Sequence, residues 1–239
     1  MRGSLLLAAL LTFAATSGFA QSLSLDLGSE GSLAARSIEL MVLVTVLSLV
    51  PGLAVMVTCF PFIVTVLSIL RQALGLQQSP PNMVIVSLAL FLTWFVMDPV
   101  FTEVWLKGVQ PFTDGKIDIE QAIPLVTAPI RTFMAARTSP DTFTALQALR
   151  PDSPGSALQA PMSLLVPSFM LSEISRAFEI GFLIYLPFLI IDLVTAAILM
   201  SMGMMMVPPA VVSLPFKLAF FVVADGWTLI SSALVRSYF

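Results

Sequence analysis

The sequence has no histidine and a single cysteine in 239 residues. Without histidine the chain lacks the commonest metal ligand and general base, which excludes zinc centres and histidine-based triads within it. One cysteine excludes an intrachain disulfide, and Cys59, in an apolar run beside Phe60, reads as a buried structural thiol. Charge is scarce too, at 10% of residues against roughly a quarter in soluble domains. The net charge of −3 comes with no basic stripe and no acidic tail, so no nucleic-acid partner is expected. Gly203 and Gly226 stand alone rather than in a phosphate loop, and neither Asp192 nor Asp225 lies in a GxGD-type setting. Catalytic, cofactor and metal residues are therefore expected to be none, and the chain is not expected to be an enzyme.

What remains is apolar: 58% of residues are hydrophobic, the composition of a membrane or membrane-assembly protein. Residues 1–20 read as a signal peptide, with Arg2 in a charged start, an apolar stretch from Leu5 to Ala15, and Gly18-Phe19-Ala20 at the cleavage site. That stretch is shorter than the roughly twenty residues a span needs. Cleavage after Ala20 puts Gln21 on the far side of the membrane; a retained first helix is the alternative.

Residues 21–37 form a polar, flexible exported leader. Residues 38–106 form a first hydrophobic helical hairpin. Its uncharged tract between Glu39 and Arg71 is too long for one straight span, so Pro51-Gly52 or Pro61 kinks or breaks it. Gln77–Asn82 is the turn, and the second tract closes at Asp98-Pro99. Residues 107–171 form a small exported helical region with a linker at Pro151–Ser156. There Ile130, Phe133 and Met134 mark an amphipathic helix, and Ser139-Pro140 caps another. Residues 172–239 form a second hairpin, with arms at Ser172–Met200 and Val207–Val235. The fold class is all-α: two long kinked helical hairpins in an integral membrane assembly, with the small exported region between them.

The second hairpin carries the unusual chemistry. Met200, Met202, Met204, Met205 and Met206 crowd its turn, broken by Ser201 and Gly203 and followed by Pro208-Pro209. Methionine is unbranched and polarizable, so this cluster is either an apolar turn buried in a core or an adaptable lining. Asp192 and Lys217 lie in otherwise apolar arms, where an unpaired charge costs roughly 2.5–3.5 kcal/mol. Each stands about a dozen residues from the turn, a spacing that makes them facing partners in a hairpin. The pair either fixes helix register or lies on a transport path. Asp225 is a third charge in this apolar region. Glu173, Arg176 and Glu179 at successive i+3 spacings let one arginine pair both carboxylates, on a solvated face or at an intersubunit contact.

Arg71–Phe101 (RQALGLQQSPPNMVIVSLALFLTWFVMDPVF) and Ser172–Trp227, which carries LPFLIIDLVTAAILMSMGMMMVPPAVVSLPFK, resemble the FliP family of flagellar biosynthesis proteins, as does the leader. The resemblance covers nearly all of the chain from residue 40 onward, apart from 107–160. It implies a core subunit of a type III protein export gate in the bacterial inner membrane and flagellar basal body, and the signal peptide favours the flagellar branch over the virulence one. Several copies would assemble with FliQ and FliR and other export-apparatus proteins, passing unfolded secreted proteins. Much of the apolar sequence would then sit above the bilayer. It further implies a pore gasket at Met204, Met205 and Met206 with Met200 and Met202 in support, charged intersubunit contacts at Glu173, Asp192 and Lys217, and a pore aromatic at Phe133. Alternation from the signal peptide places the N-terminus and central region on the periplasmic side. The competing reading is a small multi-span transporter or channel using Asp192 and Lys217. N-terminal sequencing of protein purified from membranes is expected to begin at Gln21, and a start at Met1 would establish the retained helix instead.

Overall fold

The computed structural model of the chain describes residues 33–76, 79–150, 155–204 and 206–239. The signal segment with Ala20, residues 21–32 of the leader, and Met205 lie outside the described residues. The chain divides into two compact units, residues 1–48 and 49–239. All regular structure among the described residues is helical. Helix α1 spans Leu33–Met56, α2 Phe60–Ala73, α3 Asn82–Val104, α4 Gln110–Thr113 and α5 Ile119–Arg137. Helix α6 spans Pro140–Gln147, α7 Met162–Ser201, α8 Pro209–Val223 and α9 Gly226–Arg236.

In the first unit the described residues are the opening turns of α1, which are apolar and exposed from Leu40 to Leu47. Thr45 donates its hydroxyl to the Met41 carbonyl one turn back, at 2.7 Å, so that hydroxyl needs no outside partner.

The second unit is built around α2. Its fourteen residues are too few to span a bilayer, and Phe62, Ile63, Val66, Leu67 and Leu70 are fully buried. Each such side chain contributes about 2 kcal/mol of hydrophobic stabilisation. Their spacing gives one broad apolar stripe, covered by α3 and α7. Of the two expected kinks in the first tract, Pro51-Gly52 stays helical and the chain breaks at residues 57–59. Pro61 then opens α2 in its first turn, where a missing N–H costs nothing. At the other end Gly75 takes φ +76°, and the Arg71 guanidinium closes the turn by donating to the Asn82 side-chain oxygen and to the Pro80 carbonyl.

The uncharged tract ends at Asp98, but the helix does not end there. Helix α3 runs through Pro99, continues as a π-helical turn over Trp105–Val109, and ends in α4. Both Asp98 and Pro99 are exposed, so the missing hydrogen bond falls on the outer side, away from the core. The first arm of the second hairpin likewise begins earlier than Ser172: α7 is one helix of 40 residues from Met162. At 1.5 Å per residue it is about 60 Å long, roughly twice the hydrocarbon thickness of a bilayer. Buried hydroxyls of Thr93, Ser168, Ser172 and Thr195 are satisfied by carbonyls one turn back in their own helices.

The other arm is not continuous. It bends by 61° between α8 and α9. Asp225 adopts a left-handed φ of +46° at the corner, and Gly226 packs so tightly that a Cβ there would lie 2.2 Å from the Phe221 ring. Among the described residues three helices are long and apolar enough to cross a membrane, within Ser37–Met56, Asn82–Thr113 and Met162–Ser201; the bent α8–α9 pair qualifies only as a unit.

Two consequences are measurable. Burial pushes the Cys59 thiol pKa up to about 12, so native protein at neutral pH should resist maleimide labelling until it is unfolded, and rapid native labelling would contradict the buried position. Gly181 of α7 lies where a Cβ would meet Ile69 Cδ1 of α2 at 2.4 Å. Gly181→Val should therefore destabilise the fold by about 1–3 kcal/mol, seen as a lower unfolding midpoint.

Candidate functional site

The chain ends α7 and restarts as α8 within seven residues, and both ends are fixed by local chemistry. Gly203 takes φ +75°, its N–H donates to the Met200 carbonyl at 3.1 Å, and the Met204 N–H donates to the Leu199 carbonyl at 2.9 Å. This is a Schellman stop. No atom lies within 4 Å of an added Cβ at Gly203, so the position needs glycine for its backbone angle, not for space. Pro209 then opens α8 in its first turn. Of the two readings of the methionine cluster, the buried core turn is wrong for this chain: Met200 is 61%, Met202 66%, Met204 44% and Met206 98% exposed.

Behind the tip, Asp192 and Lys217 meet as the hairpin spacing predicts. Lys217 Nζ lies 2.6 Å from Asp192 Oδ2 and donates to the Ala73 carbonyl at 3.1 Å. Ser213 donates its hydroxyl to the other Asp192 oxygen at 2.6 Å. Lys217 is 5% exposed. Its ammonium thus sits at the C-terminal end of α2, where unpaired carbonyls and the helix dipole favour a cation. One side chain joins the two hairpins. Ser213 and Lys217 are four residues apart on α8 and face Asp192 together, a signal present in the sequence. The Ala73 carbonyl had none.

A second polar centre surrounds Glu173, which is fully buried on α7. Arg137 Nε donates to its Oε1 at 3.1 Å, Arg176 Nη1 reaches the same oxygen at 3.5 Å, and the Tyr238 hydroxyl donates to Oε2. Arg137 also donates to the Ser237 carbonyl at 2.8 Å and stacks its guanidinium 4.0 Å from the centroid of the Tyr238 ring. Burial, then the adjacent Glu173 carboxylate, raises the Tyr238 pKa, so its phenol stays protonated and donates.

Arg176 does not bridge two carboxylates as the i+3 spacing predicts. Three residues turn a helix by about 300°, so each step of the series drifts around the axis. Glu173 therefore points inward while Glu179 is exposed and makes no ion pair among the described residues. Asp225 is exposed at the corner, not buried. Phe133 is half-buried, stacked on Tyr238 at 6.1 Å and edge-on to Phe169 at 5.8 Å. Arg137 and Tyr238 were not singled out in the sequence; Arg137 lies 36 residues from Glu173 and Tyr238 lies 65.

Replacing Lys217 by Met strands Asp192 and the Ala73 carbonyl, and should destabilise the protein by about 3 kcal/mol. Combining it with Asp192→Asn should recover part of that loss, with a coupling of about 1–3 kcal/mol in a double-mutant cycle of unfolding midpoints. Additive losses would show that the pair does not act as a unit.

Comparison with known proteins bears on the same residues. A family model described as the FliP family matches residues 43–234, a range that holds both polar centres, apart from Tyr238, and the whole methionine loop. The chain is 46% identical over 218 residues to the flagellar biosynthetic protein FliP of Caulobacter vibrioides, across 91% of this chain and 82% of the relative. It is 45% identical over 203 residues to the protein of that name from Bacillus subtilis, across 84% and 92%, and 45% identical over 212 residues to that from Aquifex aeolicus, across 87% and 88%. With the match running through both hairpins and the loop between α7 and α8, the chain belongs to the FliP family.

Proposed function

We propose that this chain is a pore-forming subunit of the flagellar protein export gate, in which the methionine tips of several copies meet as a hydrophobic gasket. The observation that carries the reading is the tip itself: Met202, Met204 and Met206 project from a sharply stopped loop. Thioethers held there by one chain have no apolar cover, and a ring of copies would supply it. Dispersion contacts would close such a ring, exclude water and ions, and yield to an unfolded polypeptide of any sequence.

Three further features support this assignment. Among the described residues there are no groups of acidic and thiol side chains fit to hold a metal ion, and the charges that are buried are engaged in structural ties. Helix α7 is about twice the length a bilayer accommodates, which fits a protein seated partly above the membrane in an assembly. The relatives at 42–48% identity carry a flagellar name. Assembly with FliQ and FliR, passage of unfolded flagellar proteins across the inner membrane, and a periplasmic N-terminus and central region belong to the same proposal.

The transporter reading is the weaker one. Lys217 and Asp192 satisfy each other, Ser213 and Ala73. The 410 Å³ groove between α7 and α8 is lined by Ile190, Val194, Ile198, Val212, Phe216 and neighbouring residues, and neither charge is in its wall.

In reconstituted export complexes, replacing Met202, Met204 and Met206 by Gln should raise closed-state ion conductance about tenfold or more. Leu at the same positions should keep the seal. A Gln variant as tight as the wild type would overturn the gasket assignment.

A further inference from the structure

Helix α3 has an outward face that suits neither water nor lipid. Phe91, Trp94 and Phe95 precede Asp98 by seven, four and three residues, so all four side chains lie along one side of the helix. Phe91 is 74% exposed, and Trp94 and Phe95 are each 63% exposed. Aromatic rings left so bare, side by side, gain by leaving water. Hydrocarbon would take the rings but not the carboxylate. Asp98 lies midway along the apolar segment Asn82–Thr113, is exposed, and has no hydrogen bond or ion pair among the described residues. At a bilayer centre such a charge is disfavoured roughly a hundredfold, and aspartate is too short to reach the interface from there. An apolar protein surface that carries one cation meets both demands.

We infer that this face, with the groove beside it, seats an apolar helix of a different subunit of the assembly, whose arginine or lysine pairs with Asp98. This rests on the gate reading above. The seat is a 600 Å³ groove between α3 and α9, lined by Leu88, Leu92, Phe95, Trp227, Val235, Arg236 and neighbouring residues. An apolar helix laid in such a groove covers the rings on both of its walls. Phe95 belongs to the groove and to the Asp98 face alike, so the two form one continuous surface. Aromatic anchors around a single charge are the composition of an energetically dominant contact patch. With water excluded by the rings, the ion pair at Asp98 fixes the register of the seated helix.

A second copy of this chain does not supply that cation. Of the lysines and arginines whose side chains are described, all but Arg236 already have an acceptor within their own chain. Arg236 shares the wall of the α3–α9 groove with Phe95, so it stands on the same surface as Asp98. Two copies bring Arg236 to Asp98 by pairing this surface with itself. Such a contact closes a dimer, whereas a ring needs two different surfaces to meet. The face is therefore left to another kind of subunit, one that brings its own basic residue.

The test uses the intact complex extracted with its native subunits, carrying the photo-crosslinker p-benzoyl-phenylalanine in place of Phe91 or Phe95. Peptide mass spectrometry of the adducts should identify an apolar segment of another subunit with an arginine or lysine within about one helical turn of the attachment point. Asp98→Lys should lower recovery of the complex at least about tenfold while Asp98→Glu keeps it. Abundance of the chain itself in the membrane should not change with either variant, because Asp98 makes no contact inside it. Exchanging the identified basic residue for Glu should restore the Asp98→Lys complex to at least about half. Adducts on lipid, adducts on a copy of this chain, a partner segment without a basic residue, or an Asp98→Lys complex as abundant as the wild type each overturn the proposal. None of these results touches conductance through the methionine loop, so the gate reading stands or falls separately by its Gln variants.

Discussion

The contact among Lys217, Asp192 and the end of α2 sets the arrangement on which the second unit depends. An ammonium inside an apolar fold is stable only if its charge and its N–H donors are met, and here two other elements meet the lysine of α8: α7 with a carboxylate and α2 with the Ala73 carbonyl. The cost of leaving any of them unpaired, several kcal/mol in a buried setting, converts a general apolar attraction into one register. Hydrophobic packing alone would let two smooth apolar helices slide. The pair fixes where α7 and α8 stand along each other, and so how far the methionine tip projects.

Glu173 does the same at another level of the molecule. It gathers Arg137 from α5, Arg176 from its own helix, and Tyr238 from the segment after α9. The corner at Asp225-Gly226 makes this closure possible. With a 61° bend the last helix turns away from the direction of α8 and delivers Tyr238 against Phe62 of α2 and Phe133 of α5. Both charged centres therefore contact α2, the short helix that carries the core's apolar stripe.

The two centres explain a division of labour. Polar chemistry in this chain is used to hold helices in place, and the exposed working surface is apolar. At the tip, a Schellman stop and a proline start fix the backbone while the methionine side chains remain adaptable. In the proposed gate, rigid ends with a soft lining would suit a seal that must fit varied contents.

Much of this was legible locally. The scarcity of charge and the long apolar runs pointed to an all-helical membrane-type chain. Glycine and proline determined where the methionine turn begins and ends, because backbone angles are a property of single residues. Hairpin spacing even paired Asp192 with Lys217. Three local rules failed where packing intervened. Pro99 did not end α3, the Glu173–Glu179 series did not share a face, and the arm after the methionines was broken at Asp225. Tertiary structure alone decided the rest: that Lys217 reaches a carbonyl 144 residues away, that Tyr238 closes on Glu173, and that the methionine side chains are bare in the single chain. Composition and periodicity act over a few residues, whereas burial and the pairing of charges depend on which distant elements fold against each other.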